Sequence, residues 1–283
     1  MELGPGRSLG VGLAALLSGV KRYLAVDAVS FAGNVSEQLE MLEELRSLFI
    51  ARADIPTEQE FPNIKPALSN HHFPRRLIND IDLDESLQET CLAAIRHSLN
   101  SLHKESRHGG SVEDRSRPLS YLAPWGDAGV EQNASFDLII SQAVMEHVSD
   151  VDMIYRSCMR LLKPGGLMSH QIDFKSHGKA SEWNGHWKYP MWLWRVIVGR
   201  RPFLINRVPL SGHLKSIERA GFEILAVVRV STPSQLERSR LAEPFQDLSD
   251  DDLTTSGAAI IARKNGLAGP CESPNTAGLA AEH

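Results

Sequence analysis

Two glycines, Gly4 and Gly6, stand between what reads as a strand end and a helix start in the run ELGPG. With no side chains there, a ligand can approach the backbone and the helix N-terminus, whose free N–H groups favour anionic atoms. Asp27 closes the next apolar run, YLAVD, where a carboxylate can accept hydrogen bonds from two ribose hydroxyls. Glycine turns also arise for steric reasons and acids at strand ends often cap helices, so residue types alone leave both readings open. A second group could move a proton near neutral pH: His147, Asp173, His177 and His186. For His147 and Asp173 the competing roles are packing and capping. A third group lies in SEWNGHWKYP at 181–190, where Trp183, Asn184, His186, Trp187 and Tyr189 crowd together. Such a mixture suits a sugar or planar-ring substrate, or else builds a small satellite core. Arg195, Arg200, Arg201 and Arg207 follow. They could hold an anionic substrate, Arg207 foremost, or pair with Glu182 and Glu218 on a solvated face.

The elements that must position these groups follow from periodicity. Leu9, Leu13, Leu16, Leu17 and Val20 recur at helical spacing, and 23–26 is a short apolar strand. A helix is expected over 36–52 with Ser36 as N-cap, and another over 84–103. The polar stretch 104–117 reads as a surface loop. Strands are expected at 119–122, 136–141, 167–174, 222–230 and 258–262, with helices over 145–162 and 211–220 and a KPGG turn at 163–166. This alternation predicts a doubly wound, mainly parallel α/β sheet with a helical insertion. No crossover helix is evident between the last two strands, so an antiparallel edge strand is expected. The layout is a single domain over 1–264 with insertions at about 30–117 and 175–210, and a disordered tail over 265–283.

Composition narrows the partners. The 283 residues carry a net charge of −5, too acidic to gather phosphate backbones, so no nucleic acid partner is expected. Cys91, Cys158 and Cys271 are odd in number and form no CxxC pair, while His71, His72, His103 and His108 lack a ligand pattern. Neither a disulfide framework nor a metal centre is expected, and a reducing cytoplasm fits. The run 9–17 behind Arg7 has some character of a secretion signal, but Glu2 and the basic pair Lys21–Arg22 favour a helix. The apolar run 192–198 is too short to span a bilayer and is broken by Arg195, leaving only a peripheral membrane contact to consider.

Four segments together, ELGPG at 2–6, LAVDA at 24–28, SFDLIISQAVMEHV at 135–148 and LLKPGG at 161–166, resemble the class I S-adenosylmethionine-dependent methyltransferases of the small-molecule type, in order and in spacing. The resemblance runs over 1–174 and implies a Rossmann-like methyltransferase fold with S-adenosyl-L-methionine as cofactor. By motif it implies that Glu2, Gly4 and Gly6 cradle the amino acid end and that Asp27 holds the ribose. It places Pro124 and Trp125 in the adenine-side loop and Ser141 and Gln142 beside the sulfonium. Two departures stand out: Ser120 and Tyr121 occupy the place of a carboxylate common before that loop, and only Met1 to Leu3 remain of the first strand. The natural start is therefore expected upstream. Gly10, Gly12 and Ala15 also fit a GxGxxA dinucleotide fingerprint, but they lie past the turn, on the helix. The expected function is methyl transfer to a small-molecule or saccharide-like acceptor, at oxygen. The rivals are a non-catalytic adenosyl-ligand binding module and, third, an NAD-dependent oxidoreductase.

Overall fold

The computed structural model describes residues 1–57, 59–60, 68–105, 116–125 and 134–266. Most of the expected loop 104–117, and all but two residues of the expected tail, lie outside the described residues. One seven-stranded sheet runs in the order β3-β2-β1-β4-β5-β7-β6. Its strands are β1 (Glu2–Leu3), β2 (Tyr23–Val26), β3 (Leu119–Leu122), β4 (Phe136–Gln142), β5 (Leu162–Asp173), β6 (Phe222–Ser231) and β7 (Thr255–Lys264). The first five are parallel, and β7 runs antiparallel between β5 and β6. The strand order reverses beside β1, so the carboxyl ends of β1, β2 and β4 border the crevice where such sheets hold ligands.

Both faces of the sheet are covered, which is why its strands read as continuous apolar runs. On β2 the alternation is direct. Tyr23 and Ala25 join a core with Leu13, Leu17, Leu42 and Leu99 from α1 (Gly10–Leu17), α2 (Val35–Ala51) and α4 (Glu89–Glu105). Leu24 and Val26 face the other core, with Ile154, Tyr155 and Ile217 from α5 (Val151–Leu161) and α7 (Leu210–Arg219).

Several boundaries differ from expectation, each for a local reason. Asn34, not Ser36, caps α2, its side chain accepting from the Glu37 N–H at 2.9 Å. The helix expected over 84–103 is two helices, α3 (Asp80–Ser86) and α4. The helix expected over 145–162 divides into a 3-10 turn, Met145–His147, and α5, because Asp150 accepts from the Met153 N–H at 2.8 Å and starts a new helix there. The KPGG segment lies within β5, absorbed by a register irregularity opposite Phe136 and Leu138 with Gly165 at φ +77°. Finally α6 (Met191–Val198), unforeseen, follows the aromatic run, and a short α8 (Asp250–Thr254) leads into β7.

Gly12 has a packing role. A Cβ there would lie 2.1 Å from the Tyr23 ring, so α1 rests on β2 at the distance only glycine permits. The ring cannot retreat, because its hydroxyl donates to the Glu2 carboxylate at 2.5 Å and the whole side chain is buried. The dinucleotide-like fingerprint is thus a helix–strand contact. We expect Gly12→Ala to destabilise the fold by about 1–3 kcal/mol through overpacking, measured as a lower urea midpoint at unchanged slope.

Candidate functional site

The turn after β1 is built around left-handed backbone, with Gly4 at φ +61° and Gly6 at φ +68°. The Gly4 N–H donates to the Val26 carbonyl at 2.8 Å, which ties the turn to the end of β2. A Cβ on Gly4 would sit 2.6 Å from Val144 Cγ2, whereas one on Gly6 would project into open space. Gln38, buried on α2, braces the following helix start: its Oε1 accepts from the Leu9 N–H and its Nε2 donates to the Arg7 carbonyl, both at 2.9 Å. Asp27 is buried at the end of β2, and its Oδ1 accepts from the Ala28 N–H at 2.9 Å. Its Oδ2 has no hydrogen-bond partner among the described residues. Burial raises its pKa, opposed by the backbone N–H groups of Ala28, Gly6 and Val29.

Gly4, Gly6 and Asp27 open onto a cavity of about 580 Å³. Phe31, Trp125, Val144, His147 and Phe203 also line it. The Trp125 N–H donates to the Asp27 carbonyl at 2.7 Å, so the loop after β3 is strapped to the acid it faces. Tyr121 shapes the remaining wall, its hydroxyl accepting from the Phe31 N–H at 2.9 Å. Its side chain thus orders the 28–32 loop from the neighbourhood where a carboxylate was missed. An unsatisfied buried carboxylate oxygen, open space over Gly6 and two aromatic walls fit a ligand with a diol and a planar ring. That is the chemistry of an adenosyl group.

Of the four candidate proton-transfer groups, His147 lines this cavity, and Asp173 and His177 line a separate shallow cleft. His147 Nδ1 lies 2.8 Å from the Phe203 carbonyl, which can only accept, so the proton is on Nδ1 and Nε2 carries the lone pair. Burial lowers its pKa, leaving the ring neutral at pH 7. The His177 ring packs edge-on against His147 with centroids 5.3 Å apart, and Asp173 Oδ2 lies 3.5 Å from His177 Nε2. Asn206 clamps the 3-10 turn, its Nδ2 donating to the carbonyls of Met145 at 2.7 Å and Val148 at 2.9 Å. Phe31, Val144, Phe203 and Asn206 escaped the sequence reading. Only Val144, two residues beyond the SFDLIISQ strand, carried a positional signal.

Other expected site residues lie elsewhere. Glu2 is turned to Tyr23, and neither it nor Pro124 or Gln142 lines the cavity. Ser141 Oγ is 2.8 Å from His170 Nδ1 in the core, so the strand's alternation points it away from the crevice. His186, Asn184 and Trp187 are buried in the satellite core that holds Leu236, Leu241 and Leu253. Burial pushes His186 down to about 3, which removes it as a base near neutral pH. Arg207 is no anion holder either. Its guanidinium lies 4.6 Å from the Trp194 ring and 4.7 Å from Phe245, and donates to the Tyr189 carbonyl at 2.7 Å. Glu182 pairs with Lys188 and Arg240. Of the aromatic run, Trp183 reaches a shallow cleft of about 550 Å³, shared with Asp173, Lys175 and His177.

Glu146, next to His147, is buried with neither carboxylate oxygen hydrogen-bonded among the described residues. Burial, with Asp173 adding a like charge, pushes its pKa up to about 7. A raised carboxyl pKa favours the folded state below the ordinary value near 4.5, and that contribution is lost as pH rises through 7. Gln mimics the neutral acid. Glu146→Gln should therefore leave thermal stability nearly unchanged at about pH 5, and raise it at about pH 9 by on the order of 3 kcal/mol at most. Equal effects at both pH values in thermal unfolding would show that the carboxyl ionises freely.

Residues 120–169 match the methyltransferase domain family model. The chain is 42% identical over 50 residues to the ubiquinone biosynthesis O-methyltransferase of Chelativorans sp. (strain BNC1), covering 18% of this chain and 20% of that protein. It is 38% identical over 53 residues to the enzyme of the same name from Brucella ovis, covering 19% and 21%. The matched segment thus spans about a fifth of these curated relatives. Among solved structures, a SAM-dependent methyltransferase from Methanosarcina mazei aligns over 94% of this chain and 91% of its own, at 13% identity and a TM-score of 0.41. An S-adenosylmethionine-dependent methyltransferase from Mesorhizobium loti covers 62% and 76%, at 17% identity and a TM-score of 0.33. With its 3-2-1-4-5-7-6 sheet and a methyltransferase-domain sequence over 120–169, the chain has the fold of the class I S-adenosylmethionine-dependent methyltransferases.

Proposed function

We propose that this chain transfers a methyl group from S-adenosylmethionine to a hydroxyl oxygen of a small-molecule or saccharide-like acceptor. The observation that carries the reading is the buried, unpartnered Oδ2 of Asp27 in a cavity that also presents His147 as a neutral base. Asp27 would accept the ribose hydroxyls, Gly4 and Gly6 would admit the amino acid end, and Phe31 and Trp125 would flank the adenine. The cofactor supplies an already activated methyl group, so alignment of the acceptor does much of the remaining work.

His147 Nε2 would take the hydroxyl proton as the oxygen becomes a nucleophile. His177, packed against that ring and paired with Asp173, supports its orientation and borders the Trp183 cleft. An aromatic face beside an acid, a lysine and a histidine is suited to a hydroxyl-rich ring, and this supports the saccharide-like class. The O-methyltransferases matched over 50 or so residues support oxygen as the acceptor atom.

Two measurements test the reading. Asp27→Ala should weaken S-adenosylhomocysteine binding in calorimetry by roughly 10- to 100-fold, the worth of charge-assisted hydrogen bonds to the lost carboxylate. Failure of the unaltered chain to bind would sink the assignment. For the chemistry, His147→Ala should lower turnover by about 10²- to 10⁴-fold while affecting cofactor affinity far less. The unaltered enzyme should lose rate as pH falls through a value below the ordinary 6.5 of histidine, because the protonated ring cannot accept a proton. Cofactor binding without turnover on any hydroxyl acceptor would instead favour a non-catalytic adenosyl-binding role.

A further inference from the structure

The outer face of α6 is conspicuously apolar. Trp192 is 67% exposed and Val196 69%, one turn apart on the same side, with Met191 at 44% beside them. Phe203, also 44% exposed, extends the patch to the wall of the cofactor-sized cavity. The helix is held rigidly from behind, since its one buried residue, Trp194, stacks on Arg207 and lies near-parallel to the Tyr189 ring at 6.3 Å. Thus Trp192 and Val196 are not side chains of a loose helix that could fold inward. They are presented outward by a fixed scaffold.

Charge identifies what covers this face. From Trp183 to Ile217 the sequence contains no Asp or Glu, in a chain whose net charge is −5. The same stretch carries Arg195 on α6 and Arg200 and Arg201 just after it, all exposed. None of the three has an ion-pair partner among the described residues. Exposed tryptophan and aliphatic groups, with exposed arginines that have no ion-pair partner among the described residues on the same helix and just after it, match the layered chemistry of an anionic bilayer surface. The indole and Val196 enter the headgroup boundary, and the long arginine stems keep their heads at phosphate level.

We propose that α6 and the segment through Phe203 form a peripheral docking surface for anionic lipid membranes. No helix among the described residues is long and apolar enough to cross a membrane, so the contact is an interfacial one. Because Phe203 belongs both to the patch and to the cavity wall, docking brings the mouth of that cavity to the bilayer. The inference rests on exposure and charge, and its test needs no turnover, so it stands or falls separately from the methyl-transfer reading.

The test is co-sedimentation of the full chain with vesicles of phosphatidylcholine, with and without phosphatidylglycerol. Binding should require the anionic lipid and weaken with added salt. Arg200→Gln with Arg201→Gln should reduce partitioning about 25-fold, roughly fivefold for each charge. Trp192→Ser should reduce it as well, with an unchanged melting temperature because the side chain is exposed. Equal binding to both vesicle types, or retention of binding in these variants, would overturn the proposal. So would an absence of vesicle binding, including the case in which α6 pairs two copies of the chain and Trp192→Ser makes a dimer dissociate in sedimentation velocity.

Discussion

The close contact between α1 and β2 is the constraint on which the rest of the site depends. A helix can lie this near a strand only where no Cβ intervenes, and Gly12 supplies that absence directly over the Tyr23 ring. The ring is wedged, so its hydroxyl is delivered to Glu2 on the adjacent strand, and this buried bond fixes β1 against β2 at their shared end. From there the chain has little freedom. Gly4 must turn with positive φ to bring its N–H to the Val26 carbonyl, and Asp27 must emerge beside it. A carboxylate oxygen left without a partner in such a rigid place is expensive unless a ligand completes it. The glycine turn and the acid are thus anchored beside one packing contact, made four residues before Asp27 at Tyr23.

The two halves of the candidate site differ in how much could be read from residue order. On the cofactor side each feature depends on local backbone geometry. Positive-φ glycines, an acid ending an apolar run and a two-sided buried strand all leave marks within five or six residues, and Gly4, Gly6 and Asp27, which line the cavity, carried those marks, whereas Trp125 was placed by resemblance alone. Ser141 was misplaced because motif position identifies a strand end without its phase: a period-two element puts successive side chains on opposite faces. The acceptor side is non-local. His147 receives its tautomer from a carbonyl 56 positions away, and Asn206 clamps the turn that carries it from a similar distance. No short-range pattern can reveal such pairs.

The aromatic run 181–190 shows why composition misleads here. Tryptophan and asparagine tips are equally suited to bind a substrate or to satisfy one another, and three-dimensional burial decides between the two. In this protein Trp187 donates to the Arg207 carbonyl, Asn184 donates to Ser234, and the Arg207 guanidinium donates to the His186 and Tyr189 carbonyls and lies against the Trp194 and Phe245 rings. The satellite core built this way is a scaffold rather than a recognition surface. Its effect on the site is indirect. It fixes the segment through Phe203 whose carbonyl orients His147, and it holds α6 with one face outward.

Electrostatics across the crevice follow from the same burial. Glu146 and His147 are neighbours in sequence on one short turn, and desolvation moves their pKa values in opposite directions, the acid up and the base down. Each shift opposes charge, so near neutral pH the turn presents a neutral imidazole beside a carboxyl that holds its proton far more readily than an exposed one. Burial thus keeps the His147 ring uncharged, while at Glu146 it leaves a carboxyl whose ionisation costs the fold more as pH rises. One short turn therefore carries two groups that respond to pH in opposite ways: acid charges the imidazole that faces the cavity, and alkali charges the carboxyl that the core holds.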